Sequence, residues 1–225
     1  LQCEYAINPI GLDVSKPRFS WLLAATKRGQ LQSAYRVVVA SSKENLVGDL
    51  GDKWDSGRIE SDRSVNIPYE GEPLASEERC YWNVRVWNGE GEPSAVSESA
   101  SFEMGLLRPE DWSGTWIRGA PDDSAPLLRK QFSLHKPMRK ARAYISGLGF
   151  YELYINGTRI GDQVLDPVHT DYRALVPYAC HDVTNHLRVG QNAIAVALGS
   201  GWYLGLRDQR YRFSTSPAML LQMNF

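Results

Sequence analysis

Three aspartates, Asp162, Asp166 and Asp171, fall within ten residues, with Asn156 shortly before them and His169 among them. Oxygen donors at that density suit a hard divalent cation, and Ca²⁺ takes about 6–8 of them. The spacing is not that of an EF-hand loop. Asp166-Pro167 and Thr170-Asp171 also read as turn chemistry, in which short polar side chains bond the nearby backbone. Two readings stand: a turn-rich loop, or a calcium site on Asp162, Asp166 and Asp171. Only His169 joins this loop; His135, His181 and His186 are expected on the surface.

A second group follows the glycine-rich stretch Gly199-Ser200-Gly201. It holds Trp202, Tyr203, Arg207, Asp208 and Tyr211. Aromatic faces stack on the apolar C–H face of a sugar, while Arg and Asp bond its hydroxyls, and glycine lets a backbone or ligand come close. These five residues are the sugar-contact candidates. An exposed apolar loop equally suits an interface with another domain.

Other chemistries lack their pattern. Gly147-Leu148-Gly149 runs into a strand rather than a helix, so it is not a phosphate loop. No Gly-x-Ser-x-Gly elbow is present. Cys3, Cys80 and Cys180 are far apart and form no zinc spacing. They read as small buried hydrophobes, with a Cys3–Cys80 disulfide as the alternative. Basic and aromatic residues between 207 and 213 are too few for a nucleic-acid footprint.

The 225 residues carry 25 Lys+Arg and 26 Asp+Glu, a net charge of -1 that gives no pull toward nucleic acid or anionic lipid. At 43% hydrophobic and 23% charged, the composition is that of a folded globular chain, not of low-complexity sequence. No apolar run approaches the ~18 residues of a membrane span. The charge is uneven: residues 1–107 hold 11 basic and 16 acidic side chains, and residues 108–225 hold 14 and 10. That split predicts two domains, 1–107 and 114–225, joined by a linker at 108–113. Trp112 and Trp116 flank this linker and are expected to pack the two domains together. The chain starts at Leu1 and ends in the apolar run 218–225, which reads as a piece of a longer protein.

What must position these groups is nearly all strand. Alternation over residues 18–23, 34–40 and 81–87 predicts three strands, with Trp82, Val84 and Val86 on one face of the last. Asn88-Gly89 then turns the chain into a returning strand over 94–102. Residues 65–67 form a short strand, residues 54–57 a turn, and residues 43–46 one helical turn capped by Ser41 or Ser42. In the second half, residues 127–132, 140–146, 150–155 and 192–198 read as strands. Asn156-Gly157 is the hairpin between residues 150–155 and 158–161. Asp182 is expected to cap a helical turn over 182–187. The predicted fold class is all-β: two antiparallel β-sandwiches, the first fibronectin type III-like, the second jelly-roll or galactose-binding-like.

The ordered set of motifs resembles a known family. Ser146-Gly147-Leu148-Gly149-Phe150-Tyr151, Asn156-Gly157, Gly161-Asp162, Leu165-Asp166-Pro167, Asp182-Val183-Thr184, Gly190-Gln191-Asn192-Ala193 and Gly199-Ser200-Gly201-Trp202-Tyr203 look like the N-terminal β-sandwich of bacterial α-L-rhamnosidases, glycoside hydrolase family 78. In the first half, Asn8-Pro9-Ile10-Gly11-Leu12-Asp13, Pro17-Arg18-Phe19-Ser20-Trp21, Trp54-Asp55-Ser56-Gly57 and Phe102-Glu103-Met104-Gly105 resemble the immunoglobulin-like module that opens those enzymes. The resemblance implies a parent that removes terminal α-linked L-rhamnose with inversion, using two acids on a separate C-terminal (α/α)6 barrel. Such acids stand roughly 6.5–9.5 Å apart. The barrel's Asp-Cys-Pro-x-Arg-Asp-Glu type string is absent here. The chain is therefore expected to be a non-catalytic scaffold or accessory partnered by that barrel. The alternatives are a module binding rhamnose or a rhamnosylated glycan, with or without calcium, and a structural spacer. The resemblance also implies a bacterial protein, with the cytoplasm preferred over secretion.

Overall fold

The computed structural model describes residues 1–25, 27–205 and 213–225. They form two compact units, Leu1–Asp111 and Trp112–Phe225. Both are β-sandwiches of antiparallel strands. No helix among the described residues is long and apolar enough to cross a membrane.

The first unit pairs a small sheet with a larger one. β1 (Gln2–Cys3), β2 (Arg18–Ser20) and β6 (Ile67–Pro68) make the small sheet. β3 (Gln32–Ala40), β4 (Trp54–Asp55), β5 (Ile59–Glu60), β7 (Arg79–Asn88) and β8 (Ala100–Glu103) make the larger one, in the order β4-β3-β7-β8 with β5 also on β3. The period-2 pattern of β7 holds: Trp82 and Val84 are buried in the core with Cys80 on the same face, and Val86 packs against it partly buried. Phe19 meets them from the small sheet, its ring centroid 4.4 Å from that of Trp82. β3 is buried on both faces because α1 (Lys43–Val47) lays Leu46 over Val38 and Ala40. Ser42 caps α1 by accepting from the Asn45 N–H at 3.1 Å. Residues 54–57, expected as a turn, begin with β4, and the returning strand is confined to Ala100–Glu103. Ser94 and Ser97 instead bond β7 through their backbone and hydroxyls, which satisfies that edge without a regular ladder. Cys3 and Cys80 are buried free thiols in this core, so no disulfide joins them.

The second unit stacks two four-stranded sheets. β9 (Ile117–Arg118), β11 (Arg142–Leu148), β14 (Ala179–Asp182) and β16 (Ala218–Asn224) run in the order β14-β11-β16-β9. β10 (Leu127–Leu134), β12 (Phe150–Ile155), β13 (Thr158–Ile160) and β15 (Gly190–Gly199) run in the order β10-β15-β12-β13. Leu153, Ile155, Ile194, Val196 and Leu198 of one sheet meet Ala143, Ile145 and Met219 of the other. Asn156 and Gly157 carry φ of 51° and 85°, the two left-handed residues a tight two-residue hairpin needs. Gly149, at φ 110°, lies so close to the Gly199 carbonyl that any Cβ would collide with it. Trp112 packs edge-on against Tyr144 and Tyr178 of its own unit, at 6.4 and 5.3 Å.

Candidate functional site

The loop from β13 to β14 carries the three aspartates, and other groups claim two of them. The Tyr151 hydroxyl, reaching out of β12, donates to Asp166 Oδ2. His181 Nε2 of β14 lies 3.4 Å from the same hydroxyl. Burial pushes the Tyr151 phenol well above its usual range, and the Asp166 carboxylate adds to this. Burial also pulls His181 below its ordinary value, against the opposing pull of the Asp166 charge. The ring is therefore held toward the neutral form, and His181, expected on the surface, is a partly buried anchor for the loop. Asp171 instead pairs with Arg173 at 3.0 Å, and that bond holds its carboxyl below the usual range. Among the described residues no three His, Cys, Asp or Glu come together in a way that could hold a metal ion. Two of the three candidate calcium ligands, Asp166 and Asp171, thus already have a partner within the chain.

Over the same loop lies an aromatic layer. Trp202 meets His169 edge-on at 5.5 Å, and His169 meets Tyr172 at 5.8 Å. Tyr172 touches Tyr203 at 5.3 Å and Phe213 at 5.6 Å, while Tyr203 and Phe213 stack at 5.8 Å. Trp202 is half exposed, and Val164, Leu165, Val168 and Leu175 of the loop are more exposed still. The loop and the glycine-rich segment thus meet in one aromatic face. Of the five sugar-contact candidates, Trp202 and Tyr203 belong to this face; Arg207, Asp208 and Tyr211 lie outside the described residues.

Behind the face, two motifs hold the strands. Asn156 Nδ2 donates to the His186 carbonyl and to Asn192 Oδ1, both at 2.9 Å, and Asn156 Oδ1 accepts from the Ala193 N–H at 2.9 Å. Asn192, 2% exposed, accepts also from the Arg188 N–H and donates to the Arg188 and Gly190 carbonyls. Both amides lock the hairpin to the 184–190 turn. Asp182 does not cap a regular helical turn. It accepts from the Thr184 N–H at 3.0 Å and pairs with Arg142, whose side chain is almost fully buried, at 2.9 Å. Burial opposes its ionisation, but the Thr184 and Arg142 bonds outweigh burial and hold the carboxyl below its ordinary value.

Residues 1–108 match the model of the Rha78A-like N-terminal immunoglobulin domain, and residues 136–225 match that of the alpha-L-rhamnosidase N-terminal domain. The chain thus carries two domains of the kinds found at the N-terminus of α-L-rhamnosidases. It is similar to an alpha-L-rhamnosidase of Formosa agariphila, 36% identical over 231 residues, covering 96% of this chain and 25% of that protein. It is also similar to the solved alpha-L-rhamnosidase of Dictyoglumus thermophilum, with 40% identity and a TM-score of 0.91, covering 99% of this chain and 26% of that one. The rhamnosidase of Aspergillus terreus follows at 29% identity and a TM-score of 0.83, with the same coverage of each chain. The chain thus spans about a quarter of the length of the curated rhamnosidases it matches.

Two residues of this region carry no signal in the rhamnosidase motifs read above. Arg142 looks like one of several basic residues before a strand, and its burial depends on Asp182, forty positions away. His181 looks like a solvated edge residue, and only the fold lays Asp166 and Tyr151 across it.

Proposed function

We propose that this chain is the non-catalytic N-terminal part of an α-L-rhamnosidase-like glycoside hydrolase and serves as scaffold for a catalytic barrel in the same polypeptide. One observation carries the reading: the chain matches two N-terminal domain models, yet spans about a quarter of its curated relatives. The surface of the second unit supports it. Its aromatic face joins five rings with Trp202 half exposed, Leu165 and Val168 of the same loop are exposed as well, and exposed apolar groups of this kind mark interfaces. A cleft of about 550 Å³ also opens between the two sheets, lined by Ile117, Leu128, Phe132, Val196, Met219 and Leu221. These two surfaces are where the remainder of the polypeptide seats.

The test combines this chain with a separately produced remainder of the same polypeptide. The chain alone is expected to leave an aryl α-L-rhamnoside uncleaved. Mixing the two is expected to give a stable complex, which Trp202→Ala with Leu165→Ser weakens by about tenfold or more. Turnover by the chain alone, lost on replacing one of its own Asp or Glu residues, overturns the reading.

A further inference from the structure

We propose that the first unit carries a pocket for a single neutral sugar ring, bound through the Tyr35 hydroxyl between Trp54 and the Arg63–Glu70 side of the sandwich. The site goes beyond the scaffold reading and lies in the other unit from the docking surfaces.

The pocket follows from a break in one sheet edge. β4 and β5 both pair with β3, but at different places: Trp54 and Asp55 lie opposite Val39 and Val38, and Ile59 lies opposite Tyr35. Between them the chain bends at Ser56 and Gly57, the latter at φ 62°. Ser56 fills the gap in the ladder, its N–H donating to the Val37 carbonyl and its hydroxyl accepting from the Val37 N–H. The bend opens a pocket of about 260 Å³ toward Ile67 and Pro68 of β6. That volume sits below the ~300 Å³ of the smallest drug-sized sites and has room for one ring, not for a chain of them.

Tyr35 lies in the wall of this pocket. The residue is 8% exposed, and its ring meets Trp21 edge-on at 5.2 Å. Its hydroxyl makes no hydrogen bond among the described residues and is not a sealed-in atom, so it is open to a molecule in the pocket. Arg63 and Glu70 bear on it electrostatically with opposite sign. They form no ion pair with each other, and Arg63 spends one N–H on the Asn66 carbonyl at 3.2 Å. Asp55 is not available, because Arg36 and the Gly57 N–H already hold it. The pocket therefore offers a hydroxyl that gives and accepts, a guanidinium that gives, and a carboxylate that accepts. Trp54, Ile59 and Ile67 add apolar surface. Alternating donors and acceptors beside apolar walls match the hydroxyls and C–H faces of a pyranose. Glu70 disfavours an anion and Arg63 a cation, so the ring is neutral. The Trp54-Asp55-Ser56-Gly57 motif thus lines a site as well as making a bend.

The test is an NMR amide titration of the full chain with L-rhamnose and D-glucose as neutral probes and D-glucuronate as the anionic one, into the millimolar range. At least one neutral sugar is expected to shift the Ser56, Gly57, Arg63 and Glu70 amides and the Trp54 indole as one saturable set. Tyr35→Phe removes only the unpaired hydroxyl and is expected to weaken binding about two- to tenfold, with the unfolding midpoint unchanged. Should that variant fold poorly, the exposed Arg63→Gln is expected to give the same loss. Trp202→Ala is expected to leave the shifts intact, which separates this site from the docking face. No saturable shifts at these amides with either neutral sugar overturn the proposal. So do unaltered affinity in both pocket variants, tighter binding of glucuronate than of the neutral sugars, or loss of binding in Trp202→Ala.

Discussion

Replacing Asn192 with Ala tests whether the Gly-x-Asn motif is a lock between turn and hairpin. The amide uses its full capacity: Oδ1 accepts at 2.9 Å from Asn156 and 3.1 Å from the Arg188 N–H, and Nδ2 donates at 2.7 Å to the Arg188 carbonyl and 3.0 Å to the Gly190 carbonyl. At about 1 kcal/mol net for each bond, the loss is about 4 kcal/mol. Arg188 and Gly190 are exposed, so water takes back part of that cost and about 2–3 kcal/mol remains. For a unit of this size that lowers the melting temperature by about 10–20 °C. Calorimetry reads the shift, and amide exchange of residues 194–198 assigns it to the second unit. Asn192→Asp keeps the shape but points a carboxylate at two carbonyls in a site 2% exposed. Its folded pKa is raised, so it is expected to be less stable than Asn192→Ala at pH 7 and to recover as the pH falls. A cost under about 0.5 kcal/mol for Asn192→Ala, or wild-type stability of Asn192→Asp at pH 7, refutes the reasoning.

Three further outcomes follow from the same physics. His181 titrates below its unfolded value, so the unfolded chain binds the extra proton first. Its share of stability is complete above about pH 6.5 and declines as the pH drops through the folded value, and denaturant titrations of wild type and His181→Gln are expected to diverge there. Burial holds Cys80 at about 12 and Cys3 higher, so an alkylating reagent at pH 8 is expected to modify only the partly exposed Cys180 until the chain is unfolded, as mass spectrometry of the peptides shows. Calcium and then chelator are expected to leave the thermal midpoint unmoved, because Asp166 and Asp171 are already engaged; a rise with calcium alone contradicts that assignment.

The strands with a clean period were legible because each makes local sense. The Trp82-Val84-Val86 stripe needs only one apolar face to be recognised, and only Val86, nearer the strand end, stays partly exposed. Asn156-Gly157 demands left-handed backbone wherever it stands. Residues 18–23 were less legible, since β2 stops at Ser20 and Trp21 bonds the Ser64 carbonyl outside the regular ladder. The site was harder for a different reason. A carboxylate in a loop looks alike whether it faces water, a cation or a phenol, and Asp166 meets Tyr151 only once the loop after β13 has folded back onto β12. Asp182 carried a local cap signal that was half right: it does bond Thr184, but its second oxygen-rich role, neutralising Arg142, is set by the register of β14 on β11.

β10 is the outermost strand of its sheet and pairs along one side only, with β15. Its other side is a ready template for a foreign strand, and Leu127 at its start is largely bare. Arg129 and Lys130 are the charges that discourage such growth. These two neighbouring cations thus guard an edge that core packing does not protect. Replacing both with Thr or Val removes that guard and is expected to raise the tendency of β10 to pair with a second chain, read as aggregation by light scattering.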